Sequence, residues 1–153
     1  FLILRLSSVI AKRSSVALIS ASILFLIFFI PAENKNTKSY IDIGEKWSTE
    51  RVNQLRDEKR NILLNFTADW CLTCKVNERL VLNSKEFISL IESDEIVYLV
   101  ADWTKYDPKI TEELEKYKRA GVPLYLYWSQ GSDEVKILPA VLTKSILYDH
   151  LKL

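Results

Sequence analysis

Phe66–Lys75 (FTADWCLTCK) closes a short apolar run, opens a segment of helical spacing, and holds the chain's only two cysteines. Before it, Asn61–Thr67 (NILLNFT) has the length and apolar content of a strand. After it, Cys71–Val81 carries helical spacing. Cys71 and Cys74 therefore fall at a strand-to-helix junction, the context in which a C-x-x-C pair reads as redox-active. At a helix start, unpaired backbone N–H groups and the positive end of the dipole stabilise a thiolate, and the thiolate is the attacking species. Cys71, nearer the helix start, is the expected exposed nucleophile that forms a mixed disulfide. Cys74, one turn deeper, would resolve it and close the short ring. Lys75 adds a positive charge nearby or simply faces solvent.

Other uses of the pair are open to weighing. A structural zinc site needs about four ligands, and the chain offers two cysteines and one distant His150. A purely structural disulfide across two residues would constrain little of the unfolded chain. Two inert buried thiols are a third possibility. The alternative in a different functional class is a non-catalytic binding module that holds a partner protein, or Cu(I) as a two-coordinate thiolate complex. Redox chemistry is the favoured reading.

Further out, Ser48 can cap a helix over Thr49–Lys59 with Val52 and Leu55 facing inward. Lys85–Ile91 reads as a second helical piece after the cysteines, and Ile96–Ala101 (IVYLVA) as a strand buried on both faces. Asp107–Pro108 supplies an N-cap and a first-turn proline. That helix is expected to run through Arg119 and to stop at Gly121. Pro123–Trp128 (PLYLYW) is a strand, Gln130–Asp133 a turn, Val135–Leu138 a partner strand and Thr143–Leu151 a closing helix. Alternation ending in a hairpin predicts an α/β fold, a mixed central sheet flanked by helices. Tyr125, Tyr127 and Trp128 read as core, with Tyr127 toward an edge, and His150 reads as a surface residue.

The N-terminal part differs in kind. From Ser14 to Ala32, nineteen consecutive residues carry no charge; as a helix they would span about 28 Å, near the thickness of a bilayer core. Arg5, Lys12 and Arg13 precede the run and no acid occurs before Glu33, which favours a cytoplasmic N-terminal side. The expected division is a flank at 1–13, a transmembrane helix at 14–32, a linker at 33–42 and one domain over 43–153. A cleaved signal peptide is the competing reading, although Ile30–Pro31–Ala32 makes a poor cleavage site. The chain starts at Phe1 and contains no methionine, as a piece of a longer protein would; Phe1–Leu6 then reads as the end of an earlier membrane helix. Beyond residue 32 there remain 18 basic and 20 acidic residues. That balance leaves no basic stripe for nucleic acid.

The extended motif FTADWCxTCKxNE over Phe66–Glu78 resembles the active-site segment of the thioredoxin superfamily. Within it, the segment is similar to the C-terminal periplasmic domains of the DsbD/ScsB family of transmembrane thiol:disulfide interchange proteins. Ala101–Thr104 (ADWT) matches the same group, and Gly121–Pro123 (GVP) falls where the fold keeps its cis-proline loop. The resemblance covers about Ile43–Leu151. It implies a protein-disulfide reductase in the bacterial inner membrane, with this domain facing the periplasm. Electrons would come from a membrane-embedded cysteine pair and pass to periplasmic thiol–disulfide proteins. The redox-active disulfide would serve without a further cofactor or metal. Val122 and Pro123 would meet substrate, Val122 through its backbone N–H and C=O; alternatively Gly121 and Pro123 only end a helix and begin a strand. Trp70 is expected to pack beside the site, where it either contacts substrate and partners or is purely structural.

Thioredoxin-like proteins often carry an acid six residues before the first cysteine. Asn65 stands there and cannot act as a base. Glu78, four residues after Cys74 on the same helical face, is the expected substitute, partly buried and with a raised pKa. Its other reading is an exposed partner of Lys75 or Arg79. Asp69 could raise the Cys71 pKa or cap the helix, and Trp103 and Thr104 could line the same rim.

Overall fold

The structure, a computed structural model, describes residues 43–151. The proposed flank (1–13), membrane span (14–32) and linker (33–42) lie outside the described residues. Among the described residues, no helix is long and apolar enough to cross a membrane.

Five strands form one sheet in the order β1-β3-β2-β4-β5: β1 Glu45–Lys46, β2 Ile62–Thr67, β3 Val97–Asp102, β4 Leu124–Trp128 and β5 Val135–Leu138. β3 runs parallel to both β1 and β2, while β4 is antiparallel to β2 and β5. All six residues of β2 and all five of β4 are buried, as continuous apolar runs in a sheet covered on both faces require. Tyr127, expected toward an edge, is fully buried, because β4 lies between β2 and β5.

The period-two alternation of β2 divides the core. Ile62, Leu64 and Phe66 face one side, where they meet Val52 and Leu55 of α1 (Thr49–Asp57) and Ile110 and Leu114 of α4 (Pro108–Lys116). Leu63 faces the other with Tyr98, Tyr125 and Tyr127. There they pack on Phe87 of α3 (Lys85–Glu92) and on Leu147 and Leu151 of α5 (Lys144–Leu151). The active-site helix α2 (Leu72–Asn77) continues as a π turn over Glu78–Leu82, so the uninterrupted helix expected over Cys71–Val81 widens after Asn77.

β1 has no counterpart in the sequence reading. Two residues are too few for a periodic signal, and the strand forms because Gly44 lets the chain lie against β3. A Cβ at Gly44 would sit 2.5 Å from Val100 Cγ2 and 2.9 Å from Tyr98 Cδ1, closer than any side chain tolerates.

Helix ends show a shared device. α1, α3 and α4 each close with a left-handed residue, at Lys59 (φ 55°), Asp94 (φ 61°) and Lys118 (φ 55°). In α4, Lys118 N–H donates to Glu115 O at 2.8 Å and Arg119 N–H to Leu114 O at 3.0 Å, the pairing of a Schellman motif. α4 therefore ends at Lys116, before the expected Arg119, and Gly121 is not its terminator. A side chain in the left-handed region costs about 1 kcal/mol relative to glycine. Lys118→Gly is expected to stabilise the domain by up to about 1 kcal/mol, read as a higher urea midpoint at unchanged m-value; a lower midpoint would contradict this account of the helix end.

Candidate active site

The sheet topology brings three chain segments to one end. β2 and the parallel β3 finish there, with Thr67 opposite Asp102, and the antiparallel β4 begins there, with Leu124 opposite Phe66. The loops after Thr67, after Asp102 and before Leu124 consequently meet.

The first of these loops carries the cysteines. Cys71 and Cys74 form a disulfide with a Cα–Cα distance of 5.3 Å. Cys71 is the N-cap of α2: its Sγ accepts the Cys74 N–H at 3.2 Å and its carbonyl accepts the Lys75 N–H at 3.1 Å. A backbone donor thus already points at the sulfur that would carry thiolate charge. Asp69, a candidate cap, does not fill that position. Cys71 was expected to be exposed; it retains 7% of its surface and Cys74 none, so Cys71 is the accessible member but only barely. Ala68 and the half-buried Val122 pack against the pair, and the Val122–Pro123 peptide bond is cis.

Behind the cysteines lies a polar cluster enclosed in the core. Glu78 is 1% exposed, which removes the reading of it as an exposed glutamate. Thr67 Oγ1 donates a short hydrogen bond to its Oε1, and Lys75 Nζ lies 3.4 Å from its Oε2. Burial pushes the Glu78 carboxyl above the ordinary range, opposed by the Thr67 hydroxyl, by Lys75 and by Asn65. Lys75 also donates to Asp69 Oδ1 at 3.0 Å, so one ammonium joins the buried carboxyl to a surface one. Asn65, fully buried, donates to Tyr98 Oη at 2.9 Å. Asn77 donates to Tyr125 Oη at 2.9 Å and to Ala140 O at 2.7 Å, and accepts the Leu142 N–H at 3.1 Å. The first ties α2 to β4, and the other two tie it to the chain after β5. Burial drives both tyrosine hydroxyls well above their usual pKa, so they stay neutral.

The rim is aromatic. Trp70, half exposed, stacks on Tyr106 at 5.5 Å and leans on Trp103 at 5.9 Å. Thr104 holds this edge in place. Its hydroxyl donates to Asp102 Oδ1 and accepts the Asp69 N–H at 2.9 Å, while its carbonyl accepts the Trp70 indole N–H at 3.3 Å. Trp103 is buried and bonded to Thr111 Oγ1, so of the ADWT segment it is Thr104 that fixes the cysteine loop. His150, in α5, bonds its own helix at Ile146 O, and among the described residues it has no hydrogen bond or ion pair to the cysteine loop.

The structure packs Val122 against the disulfide, joins Asn65, Lys75 and Asp69 to Glu78 in one polar cluster and sets Trp70 on the aromatic rim, together with residues the sequence did not single out. Thr67, Asn77, Tyr98 and Tyr125 are read as core or helix from spacing alone. Tyr106 lies in a loop with a left-handed backbone (φ 56°). Only the two-residue step from Asn65 to Thr67 on one strand face could have signalled a polar lining.

The raised Glu78 pKa has a definite sign in stability. Below about pH 4.5, the ordinary value, the carboxyl is protonated in folded and unfolded chains and costs nothing. Between 4.5 and the raised value the unfolded chain holds fewer protons, so stability falls with rising pH. Glu78→Gln is expected to gain stability relative to the parent through that window and to hold the gain above it. Parallel urea melts from pH 4 to 8 measure this, and a constant difference would contradict the burial argument.

Comparison with known proteins agrees with this geometry. A family model described as Thioredoxin-like matches residues 44–129. Among curated proteins, thiol:disulfide interchange protein DsbD of Vibrio cholerae is 28% identical over 82 residues, 54% of this chain and 13% of that protein. DsbD 1 of Pseudomonas aeruginosa is 31% identical over 81 residues, 53% of this chain and again 13% of the relative. The chain therefore spans a small part of the curated relatives it matches. Among solved structures, the reduced C-terminal domain of Neisseria meningitidis DsbD aligns with a TM-score of 0.55 and 18% identity. That alignment covers 70% of this chain and 96% of that domain, and it speaks to the fold. The sheet order, the disulfide at the start of α2 and a family match over more than half its length agree: the chain belongs to the thioredoxin-like family.

Proposed function

We propose that this domain is a thiol–disulfide oxidoreductase that works as a protein-disulfide reductase, cycling Cys71–Cys74 between dithiol and disulfide with no other cofactor. The observation that carries the reading is Cys71 Sγ, the accessible sulfur of the pair, held at a helix N-cap under the Cys74 N–H. In the reductive half, the Cys71 thiolate attacks one sulfur of a partner disulfide and the partner's other sulfur leaves as a thiolate. Cys74 then attacks Cys71 Sγ, the Cys71–Cys74 bond forms, and the partner's second sulfur is released. Two electrons pass to the partner, which takes up two protons as the domain gives up its own.

Glu78 serves as the group that takes the Cys74 proton, its carboxyl kept receptive by burial. Lys75, bonded to both Glu78 and Asp69, links that proton to the surface. Asn65, where related proteins often carry an acid, contributes a hydrogen bond without titrating. Trp70 and the backbone of Val122 beside Pro123 receive the partner's chain as a short extended contact.

The similarity to DsbD proteins supports a wider role. In it, electrons arrive from a membrane-embedded cysteine pair, and the acceptors are periplasmic thiol–disulfide proteins. The apolar stretch 14–32 would then hold the chain in a bacterial inner membrane with this domain on the periplasmic side.

Cys74→Ser and Cys71→Ser test the assignment of roles. With oxidised glutathione as probe, Cys74→Ser is expected to accumulate a mixed disulfide through Cys71, visible by intact mass. Cys71→Ser, left with the fully buried sulfur, is expected to form little. Equal labelling of the two variants would contradict the assignment, and a purely metal-holding module would show no catalytically competent adduct in either.

A further inference from the structure

Five helices cover the sheet among the described residues, and four follow the ordinary amphipathic rule. The solvent-exposed positions of α1, α3, α4 and α5 carry polar or charged side chains, Pro108 excepted. The active-site helix departs from it. Through α2 and the π turn, the exposed positions are Leu72, Thr73, Val76, Arg79 and Leu80. Leu72 is 79% exposed, Val76 46% and Leu80 62%. A single exposed leucine is unremarkable; an aligned row beside a reactive sulfur indicates a surface meant to be covered.

The alignment depends on the π turn. Four residues of α-helix advance about 40° beyond a full turn, which would carry residue 80 well round from residue 72. The wider turn, closed by Asn83 N–H to Glu78 O at 2.8 Å, advances less per residue and returns Leu80 toward the line of Leu72 and Val76. The row begins at the residue bonded to Cys71 and runs two turns away from it. Any partner sulfur bonded to Cys71 Sγ places the partner's surface over the near end of that row. Arg79 is the exposed charged position of this segment, since Lys75 is part-buried and paired with Asp69 and Glu78, and Glu78 is itself buried.

We infer that the Leu72–Val76–Leu80 face docks the protein partner, and that the partner presents an apolar strip with an acidic side chain opposite Arg79 beside its disulfide. This rests on the oxidoreductase reading and adds the chemistry by which that site selects its partner. Two electrons leave the Cys71/Cys74 dithiol and reduce the partner's disulfide to two thiols, with dithiothreitol supplying the dithiol form beforehand.

The test uses the prereduced full chain and two synthetic peptides of equal length, each closed by one internal disulfide. One has Leu and Glu flanking its cysteines, the other Ser and Lys, and hydroxyethyl disulfide serves as a small reference. The Leu/Glu peptide is expected to be reduced about tenfold faster than the Ser/Lys peptide, a difference of about 1.4 kcal/mol. Leu80→Ser and Arg79→Glu should each lower that ratio by about threefold or more, and Arg79→Glu should also weaken its dependence on salt. Equal rates for the two peptides, with hydroxyethyl disulfide still reduced, would overturn the inference alone. Failure to reduce hydroxyethyl disulfide would remove the oxidoreductase reading and this inference with it.

Discussion

The pairing of β2 with β3 on one side and β4 on the other is the constraint on which the rest depends. β2 is central, buried at every residue, and its last residue leads directly into the cysteine loop. Because β3 is parallel to it and β4 antiparallel, Thr67, Asp102 and Leu124 reach the same end of the sheet. The cysteines, the Thr104 clamp and Val122 belong to three segments distant in sequence, and only this register places them together. A slip of one residue in β2 would turn Thr67 and Asn65 to the other face and take the hydroxyl away from Glu78.

A second constraint is electrostatic. The core face behind the cysteines holds a carboxyl, two amides and two phenols among aliphatic side chains. Burial makes each of them costly unless bonded. The amides hold the phenols, the Thr67 hydroxyl holds Glu78, and Lys75 reaches in from the rim. Glu78 lies four residues beyond the fully buried Cys74, and its own burial raises the pKa of its carboxyl. The polar cluster therefore makes the stability of the core depend on pH.

Much of this was legible from the residues. Continuous apolar runs located β2, β3 and β4, because strands covered on both faces leave no alternation to confuse. The spacing of Cys71, Cys74 and Glu78 anticipated one inward helical face. Helix ends were less legible: α4 stops at a lysine in the left-handed region, while glycine, the usual marker, stands three residues later at Gly121. The short β1 escaped because its cause is a close approach at Gly44 rather than a pattern. The enclosed tyrosines escaped because Tyr98 and Tyr125 look like ordinary core aromatics until the fold turns their hydroxyls toward Asn65 and Asn77. The π turn is likewise invisible to periodicity, since its buried positions fit an α-helix.

The central claim is that Cys71–Cys74 is a reducing pair. Its most direct measurement is the reduction potential, obtained by equilibrating the chain with dithiothreitol or glutathione buffers and quantifying the dithiol fraction. The account predicts a thioredoxin-like value, about −270 mV or somewhat above it. A value of about −120 mV, that of a strong disulfide-forming oxidant, would contradict it.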